Sequence, residues 1–364
     1  MKQNPKKKVC LIVDSLSVGG AERAAALLSI KLNELNYSVS IIALRDEISY
    51  DYQGVLYNLG SNESSVKIKK QYDKFCLFKK YFKEVDADVY IDFRVRNRIV
   101  MEFLFHNFIF DMRKMIMSIR SHNVFLHIPK NLFFYKKYEK AKAIVCVSKV
   151  ICNRMGELYS FSNLLSIPNF YKASLQHNKS ELTEFLNKRA FVLAVGRLDN
   201  SIKQFDKLIL AYKASKLVEQ SVSLVILGEG KDRGELERLI EENQLEDFVN
   251  LGGYSADVHK YMVSAKFLIL SSKFEGFPNV ILESLALGTP VVAFDCKSGP
   301  SEMVVNKGNG ILVEDQNFEA LIEAMNKMVY DTKYYDKCKG NTLKSISKFS
   351  ENAVINQWIE LIES

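Results

Sequence analysis

Short, uninterrupted apolar runs alternate along this chain with amphipathic segments of helix length. VCLIV (9–13) leads into a helical stretch from about Gly20 to Leu35, then VSIIAL (39–44); VYIDF (89–93), MIMSI (115–119) and AIVCVS (143–148) continue the pattern. A polar stretch, YKASLQHNKSELTEFLNKR (171–189), interrupts it. The alternation restarts with FVLAVG (191–196), SLVILG (223–228), FVNLGG (248–253), FLILS (267–271) and PVVAF (290–294). A strand that is apolar on both faces must be covered on both faces, which is the condition of a parallel sheet between layers of helices. Two such series predict two doubly wound α/β domains joined near 170–190. The tail SENAVINQWIELIES places Val354, Trp358 and Leu361 near one face of a helix that must pack somewhere.

Length agrees, since 364 residues exceed one ordinary core. A hydrophobic fraction of 48% with 26% charged residues describes a soluble globular protein, and no apolar run approaches the roughly 18 residues of a membrane span. The start, MKQNPKKKVCLIVD, is basic but has too short an apolar run for a signal peptide. Cysteines 10, 76, 146, 152, 296 and 338 form no C-x-x-C pair, so reduced thiols, a cytoplasmic location and no metal site are expected.

Charge changes the picture when it is split. Residues 181–364 carry 21 Lys and Arg against 27 Asp and Glu, whereas the first 180 carry 29 against 16, a net of −6 beside +13. The first half is therefore expected to meet an anionic partner. Its cations concentrate in KIKKQYDKFCLFKKYFK (67–83) and KNLFFYKKYEKAK (130–142), both interleaved with aromatic residues. That mixture suits an anionic membrane surface; the alternative is a solvated helix face over an ordinary core. Nucleic acid has no motif behind it.

Several segments carry chemistry. In DSLSVGGAERAA (14–25), Gly19 and Gly20 follow a strand and open a helix, a turn that lets backbone N–H groups approach a phosphate. It is neither a G-x-G-x-x-G fingerprint nor a P-loop, and a plain turn explains it equally. In VGRLDNSIKQFDKLI (195–209), Gly196 ends a strand, and Arg197 and Lys203 flank the turn into a helix. Two cations there can neutralise a diphosphate without a metal, or can be surface partners of Asp199 and Asp206. ILGEGKDRGELERLIEE (226–242) repeats the turn around Gly228 and Gly230. In FEGFPNVILESLALGTPVVAFD (274–295), Glu275 falls in the loop after a strand, and Pro278 opens a helix that carries Glu283 and ends near Gly288. Two carboxylates beside one crevice suit the hydroxyls of a sugar and a ribose; otherwise Glu275 caps the helix and Glu283 is paired internally. Arg94, Arg96 and Arg98 in YIDFRVRNR alternate and could contact an acceptor phosphate or lie at the surface.

The ordered set GGAER, RSHN, VSK, IPN, VGRLDNSIK, ILGEG, EGFPNVILES and SGPSE resembles the retaining glycosyltransferase family 4. The resemblance covers nearly the whole chain and is strongest over about 190–315. It implies a GT-B fold: two Rossmann-like domains facing each other across a cleft, an acceptor-binding domain over 1–170, a nucleotide-sugar-binding domain over 171–348, and a helix over 349–364 crossing back to the first. It implies that Glu275 contacts the transferred sugar and that the amides of Gly276, Phe277, Pro278 (by its neighbours), Asn279 and Val280 approach sugar and phosphate. Glu283 would bind the ribose, Arg197 and Lys203 the diphosphate, and Gly19 and Gly20 would form the loop at the reaction centre. His122 falls where the family has a histidine beside the donor sugar, as an acid/base group or an orienting one. The expected reaction moves a sugar with retention from a nucleoside diphosphate, UDP foremost, to a glycan acceptor, a lipid-linked saccharide at the inner face of the cell membrane. No cofactor or metal is expected. The alternatives are a soluble acceptor, a non-catalytic nucleotide-sugar-binding subunit of a polysaccharide assembly complex, and an epimerase or phosphorylase on the same architecture.

Overall fold

The computed structural model describes residues 6–17, 19–61, 67–172 and 189–364; most of the polar join, 173–188, and the first five residues lie outside the described residues. The chain divides into two compact units, Met1–Asn169 with Val354–Ser364, and Phe170–Ala353.

The first unit is built on β1 (Lys8–Val13), β2 (Ser38–Ala43), β3 (Val55–Asn58), β4 (Val89–Asp92), β5 (Met115–Ile119), β6 (Ala143–Cys146) and β7 (Leu164–Ser166). All pair in parallel, in the order β3-β2-β1-β4-β5-β6-β7, with Leu11 of β1 opposite both Ile41 and Ile91. Every residue of β4, β5 and β6 is buried, as the uninterrupted apolar runs require. The second unit holds β8 (Phe191–Val195), β9 (Ser223–Leu227), β10 (Val249–Gly253), β11 (Leu268–Leu270), β12 (Val291–Phe294) and β13 (Gly310–Val313), again parallel, in the order β10-β9-β8-β11-β12-β13. β3, β7 and β13 were not anticipated. They are three or four residues long, lie at sheet edges and are largely half-exposed, so each lacks the long apolar run that marks an inner strand.

Strand order reverses between β1 and β4 in one sheet and between β8 and β11 in the other. At such a switch point the loops leaving neighbouring carboxyl ends diverge to opposite faces and open a crevice. The chain leaves β1 at Asp14–Ser17, β4 at Phe93–Arg98, β8 at Gly196–Gln204 and β11 at Ser271–Pro278.

The helix Glu351–Glu363 buries Val354, Ile355, Trp358, Leu361 and Ile362. Within the first unit Trp358 lies 6.3 Å from the ring of Phe93, Tyr37 Oη donates to Glu363 Oε1 (2.7 Å), and Lys7 Nζ donates to the carbonyls of Ile362 and Glu363 (2.8 Å each).

Two expected acceptor contacts are corrected by burial. Arg94 and Arg96 are 1% and 0% exposed. Arg94 donates to both oxygens of Asp92 (2.9 and 2.8 Å) and both of Glu102 (3.1 and 3.3 Å), under the rings of Phe78, Phe105 and Phe110. Arg96 donates to the carbonyls of His127 (2.9 Å), Asp92 (3.0 Å) and Ser118 (2.7 Å). Their donors are engaged inside the unit, tying the exit of β4 to the helix Ile99–Phe108 and to β5. Arg98 is exposed and remains at the surface. Burial alone would raise the Asp92 carboxyl, but Arg94 and Arg96 outweigh it and hold Asp92 below the usual carboxylate range.

Two predictions follow from this buried cluster. Removing one partner leaves an uncompensated charge in the core, so Asp92→Asn should lower unfolding stability in urea by about 3–5 kcal/mol. His106 and His127 are each pushed down to about 3, first by burial and then by the neighbouring arginines, and stay neutral in the fold. The unfolded chain takes up those protons near pH 6.5. Their contribution is therefore fully present above about pH 6.5 and declines as pH falls towards 3. Urea midpoints should drop between pH 7 and pH 4, less steeply in His127→Asn; an equal slope in wild type and variant would refute this source.

Candidate functional site

At the switch point of the second sheet, the loops leaving β8 and β9 approach backbone to backbone. Gly228 has φ +143°, and a Cβ there would lie 1.9 Å from the carbonyl oxygen of Gly196. A Cβ on Gly230 would lie 2.3 Å from the carbonyl of Leu198, whose N–H donates to the carbonyl of Glu229 (3.0 Å). Only glycine fits this approach. Arg197, held between the two contacts, is exposed and forms no ion pair among the described residues.

The β8 loop is also fastened to the β11 loop. Gln204, buried and left-handed at φ +55°, donates through Nε2 to the carbonyl of Ser271 (2.9 Å). Ser271 Oγ donates to the carbonyl of Lys203 (2.8 Å), and Lys273 N–H to that of Ile202 (2.9 Å). These three bonds bring Lys203 to Glu275, with Nζ 2.6 Å from Oε1 and both side chains less than a fifth exposed. Residues 72 apart in sequence thus form the central pair of the crevice.

The loop that carries Glu275 is pinned from behind by 297–299. The Glu275 N–H donates to the carbonyl of Lys297 (3.3 Å), and Ser298 Oγ donates to the carbonyl of Glu275 (2.5 Å). Gly299 has φ +102°, and a Cβ there would lie 2.4 Å from Pro278 Cδ. Phe277 is buried edge-on to Phe349 at 5.5 Å. Pro278 then precedes the helix Asn279–Ala286, which Gly288 (φ +85°) ends. The amino end of this helix, with Gly276–Val280, stands beside the Lys203–Glu275 pair, so backbone N–H groups and the positive end of the dipole add to the cations. Glu283, one turn inside, is buried, and its Oε2 lies 3.4 Å from Nε2 of His259 on the helix Val258–Ser264. The internal pairing that the sequence left open is therefore present, and the sequence reading missed His259. Gln204, Ser298 and Gly299 were missed as well, although SGPSE contains two of them.

The remaining candidates lie in the first unit. Gly19 (φ +151°) precedes the helix Gly20–Glu34, and its N–H donates to the hydroxyl of Tyr50 (3.3 Å). A Cβ on Gly19 would lie 2.1 Å from Glu22 Oε2, so the Glu22 carboxylate folds back over the glycine loop. Burial, then the nearby Asp14 carboxylate, pushes the Glu22 carboxyl above its usual range. The sequence reading passed over Glu22 inside GGAER. His122 is half-buried, with Nε2 accepting from the Arg154 guanidinium, an arrangement that orients the ring.

Comparison with known proteins bears on this geometry. Residues 177–345 match the family model of glycosyl transferases group 1. The chain is 29% identical over 355 residues to the N-acetylgalactosamine-N,N'-diacetylbacillosaminyl-diphospho-undecaprenol 4-alpha-N-acetylgalactosaminyltransferase of Campylobacter jejuni, covering 92% of this chain and 94% of that one. It is 24% identical over 364 residues to the amylovoran biosynthesis glycosyltransferase AmsD of Erwinia amylovora, covering 98% and 99%. Among solved structures, a mutant TarM of S. aureus in complex with Fondaparinux, alpha-GlcNAc-glycerol and UDP gives a TM-score of 0.79 at 15% identity, covering 98% of this chain and 100% of that one. HepE of Anabaena in complex with UDP and glucose gives 0.77 at 17%, with the same coverage. The fold is GT-B. Together these likenesses support a GT-B glycosyltransferase.

The Gly228 contact gives a direct test of the site's construction. Gly228→Ala meets both a left-handed backbone, costing roughly 1–3 kcal/mol, and the carbonyl of Gly196. It should lower the melting temperature, whereas Gly234→Ala, in a helix and with open space around its Cβ, should not.

Proposed function

We propose that this protein is a retaining glycosyltransferase that moves a sugar from a nucleoside diphosphate, UDP foremost, to a hydroxyl of a lipid-linked glycan in bacterial surface polysaccharide or glycan assembly. The observation that carries the reading is the convergence of Arg197, the Lys203–Glu275 pair and the amino end of the helix Asn279–Ala286 on one switch point. The polymer- and undecaprenol-directed names of the relatives in Campylobacter jejuni and Erwinia amylovora support the acceptor class.

In this reading the donor diphosphate lies against Arg197 and Lys203. As the bond from the anomeric carbon to the phosphate oxygen breaks, negative charge grows on the leaving nucleotide. Fixed cations and amides already aimed there lower that barrier without reorganising. Glu275, released in part from Lys203 by the competing phosphate, accepts from the sugar hydroxyls. Glu283, oriented by His259, accepts from the ribose. His122, set by Arg154, orients the sugar, and Gly19 and Gly20 let the backbone approach the reacting centre. The acceptor hydroxyl attacks from the face of the departing phosphate, whose freed oxygen takes the hydroxyl proton, so configuration is retained with no glycosyl–Glu283 adduct. Arg197 and Lys203 neutralise the diphosphate and no metal is needed.

Purified protein should hydrolyse its donor slowly. Arg197→Ala should reduce that rate by about 10²–10³-fold, the usual effect of removing one transition-state donor, with an unchanged melting temperature because Arg197 is exposed. Undiminished hydrolysis in the variant would remove Arg197 from the mechanism. A melting screen over UDP-, GDP- and ADP-sugars should show the largest rise with a UDP-sugar, since a ligand that binds only the folded chain stabilises it by mass action.

A further inference from the structure

A lipid-linked acceptor requires the first unit to meet a bilayer, and its surface indicates where; this inference rests on the function just proposed. Of the two basic-aromatic runs, the first turns its phenylalanines inward and leaves Tyr72 68% exposed. On the helix Lys67–Val85, Phe78 is fully buried, Phe75 stacks on Phe105 (6.1 Å) and Phe82 on Tyr90 (4.0 Å). Rings at 75, 78 and 82 form a core stripe at helical spacing.

The second run divides. On the helix Leu132–Tyr138, Phe134 and Tyr138 are buried, while Leu132 is 68% exposed and Phe133 leans outward, 5.0 Å from the ring of Phe103. Phe103 belongs to the helix Ile99–Phe108, which buries Glu102, Phe105 and His106 and turns Ile99 (57% exposed), Val100 (73%) and Phe103 to solvent. Through the Phe103–Phe133 contact the two helices bring their exposed apolar side chains together in one stripe.

Cations frame the stripe. Arg98 precedes the first of these helices; Lys130 lies over Phe125 (4.0 Å); Lys136 is exposed; Lys137 lies over Phe133 (5.4 Å) and donates to the carbonyl of His106 (3.1 Å). Of the nearby acids, Glu102 is buried against Arg94 and Asp111 is paired with Arg113, leaving Glu139 exposed. Apolar side chains inside a rim of ammonium groups match the chemistry of an anionic membrane, with acyl chains beneath phosphates. A second copy would set the same cations against each other, because a two-fold interface pairs a surface with itself.

The stripe also borders a cavity. About 790 Å³ opens at the switch point of the first sheet, lined by carboxylates (Glu22, Asp46 and Glu47 among them) as well as by Arg45, Lys74 and Arg98, so Arg98 belongs to both cavity and rim. We propose that Ile99, Val100, Phe103, Leu132 and Phe133 dock this unit on an anionic bilayer.

Flotation of the full chain with vesicles tests this. Wild type should float with phosphatidylglycerol-containing vesicles, and less with pure phosphatidylcholine or at high salt. The double variant Val100→Asp with Phe103→Asp should bind the anionic vesicles at least about tenfold more weakly. Leu343→Asp, at an exposed apolar position of the second unit, should bind as wild type. The double variant's melting and donor hydrolysis should persist, which separates lost docking from lost folding. Equal flotation of wild type and double variant would overturn the proposal, as would no flotation of wild type, or a dimer that the double variant dissolves in place of vesicle binding. Flotation lost as expected in a protein that never hydrolyses a nucleotide-sugar would leave the docking surface intact and remove the transferase reading.

Discussion

The carbonyl of Gly196 lies where a side chain on residue 228 would begin, and the candidate donor site depends on that contact. Two strand exits can pass so closely only because Gly228 and Gly230 carry no Cβ against the carbonyls of Gly196 and Leu198. Arg197 is left on the open side without an internal partner among the described residues, while the chain beyond it is turned by Asp199 and Gln204 towards β11. A second fastening, to the β11 loop through Gln204 and Ser271, is what brings Lys203 to Glu275.

The structure uses its charged groups in two ways, and burial separates them. Arg94, Asp92 and Glu102 are nearly inaccessible and saturate one another, so they hold β4 to the following helix. Lys203 and Glu275 are equally close but stand partly open at the mouth of a crevice. A diphosphate can compete for Lys203 there without leaving Glu275 stranded, because sugar hydroxyls can donate to the freed carboxylate. In the buried cluster no such replacement can enter.

This difference also explains what was legible in the sequence. The inner strands announced themselves by uninterrupted apolar runs, and MIMSI coincides with β5 residue for residue. β3, β7 and β13 did not, because an edge strand needs few apolar residues. At the site, Gly196, Arg197, Lys203, Glu275 and Glu283 could be read from local punctuation: a glycine at a strand's end, a cation beside it, a carboxylate before a proline-started helix. What could not be read was pairing across distance. His259 precedes Glu283 by 24 positions with no pattern joining them. The alternation Arg94, Arg96, Arg98 looks like one exposed edge, yet two of its members have partners on β4, on the next helix and in the backbone near His127, and all of these must be placed before the arginines can be.

Charge must be reasoned about on the length scale over which it acts. At physiological salt a charge is screened beyond about 8 Å, so the net −6 of the second half does not forbid an anionic donor there. The diphosphate would respond to Arg197, Lys203 and a helix end at contact, not to carboxylates on distant helices. The net +13 of the first half acts differently, because an extended anionic surface lies within a screening length of many cations at once. Local cations therefore govern a small ligand, and distributed cations govern a plane. The two halves of this chain can carry opposite net charge and still both attract phosphate.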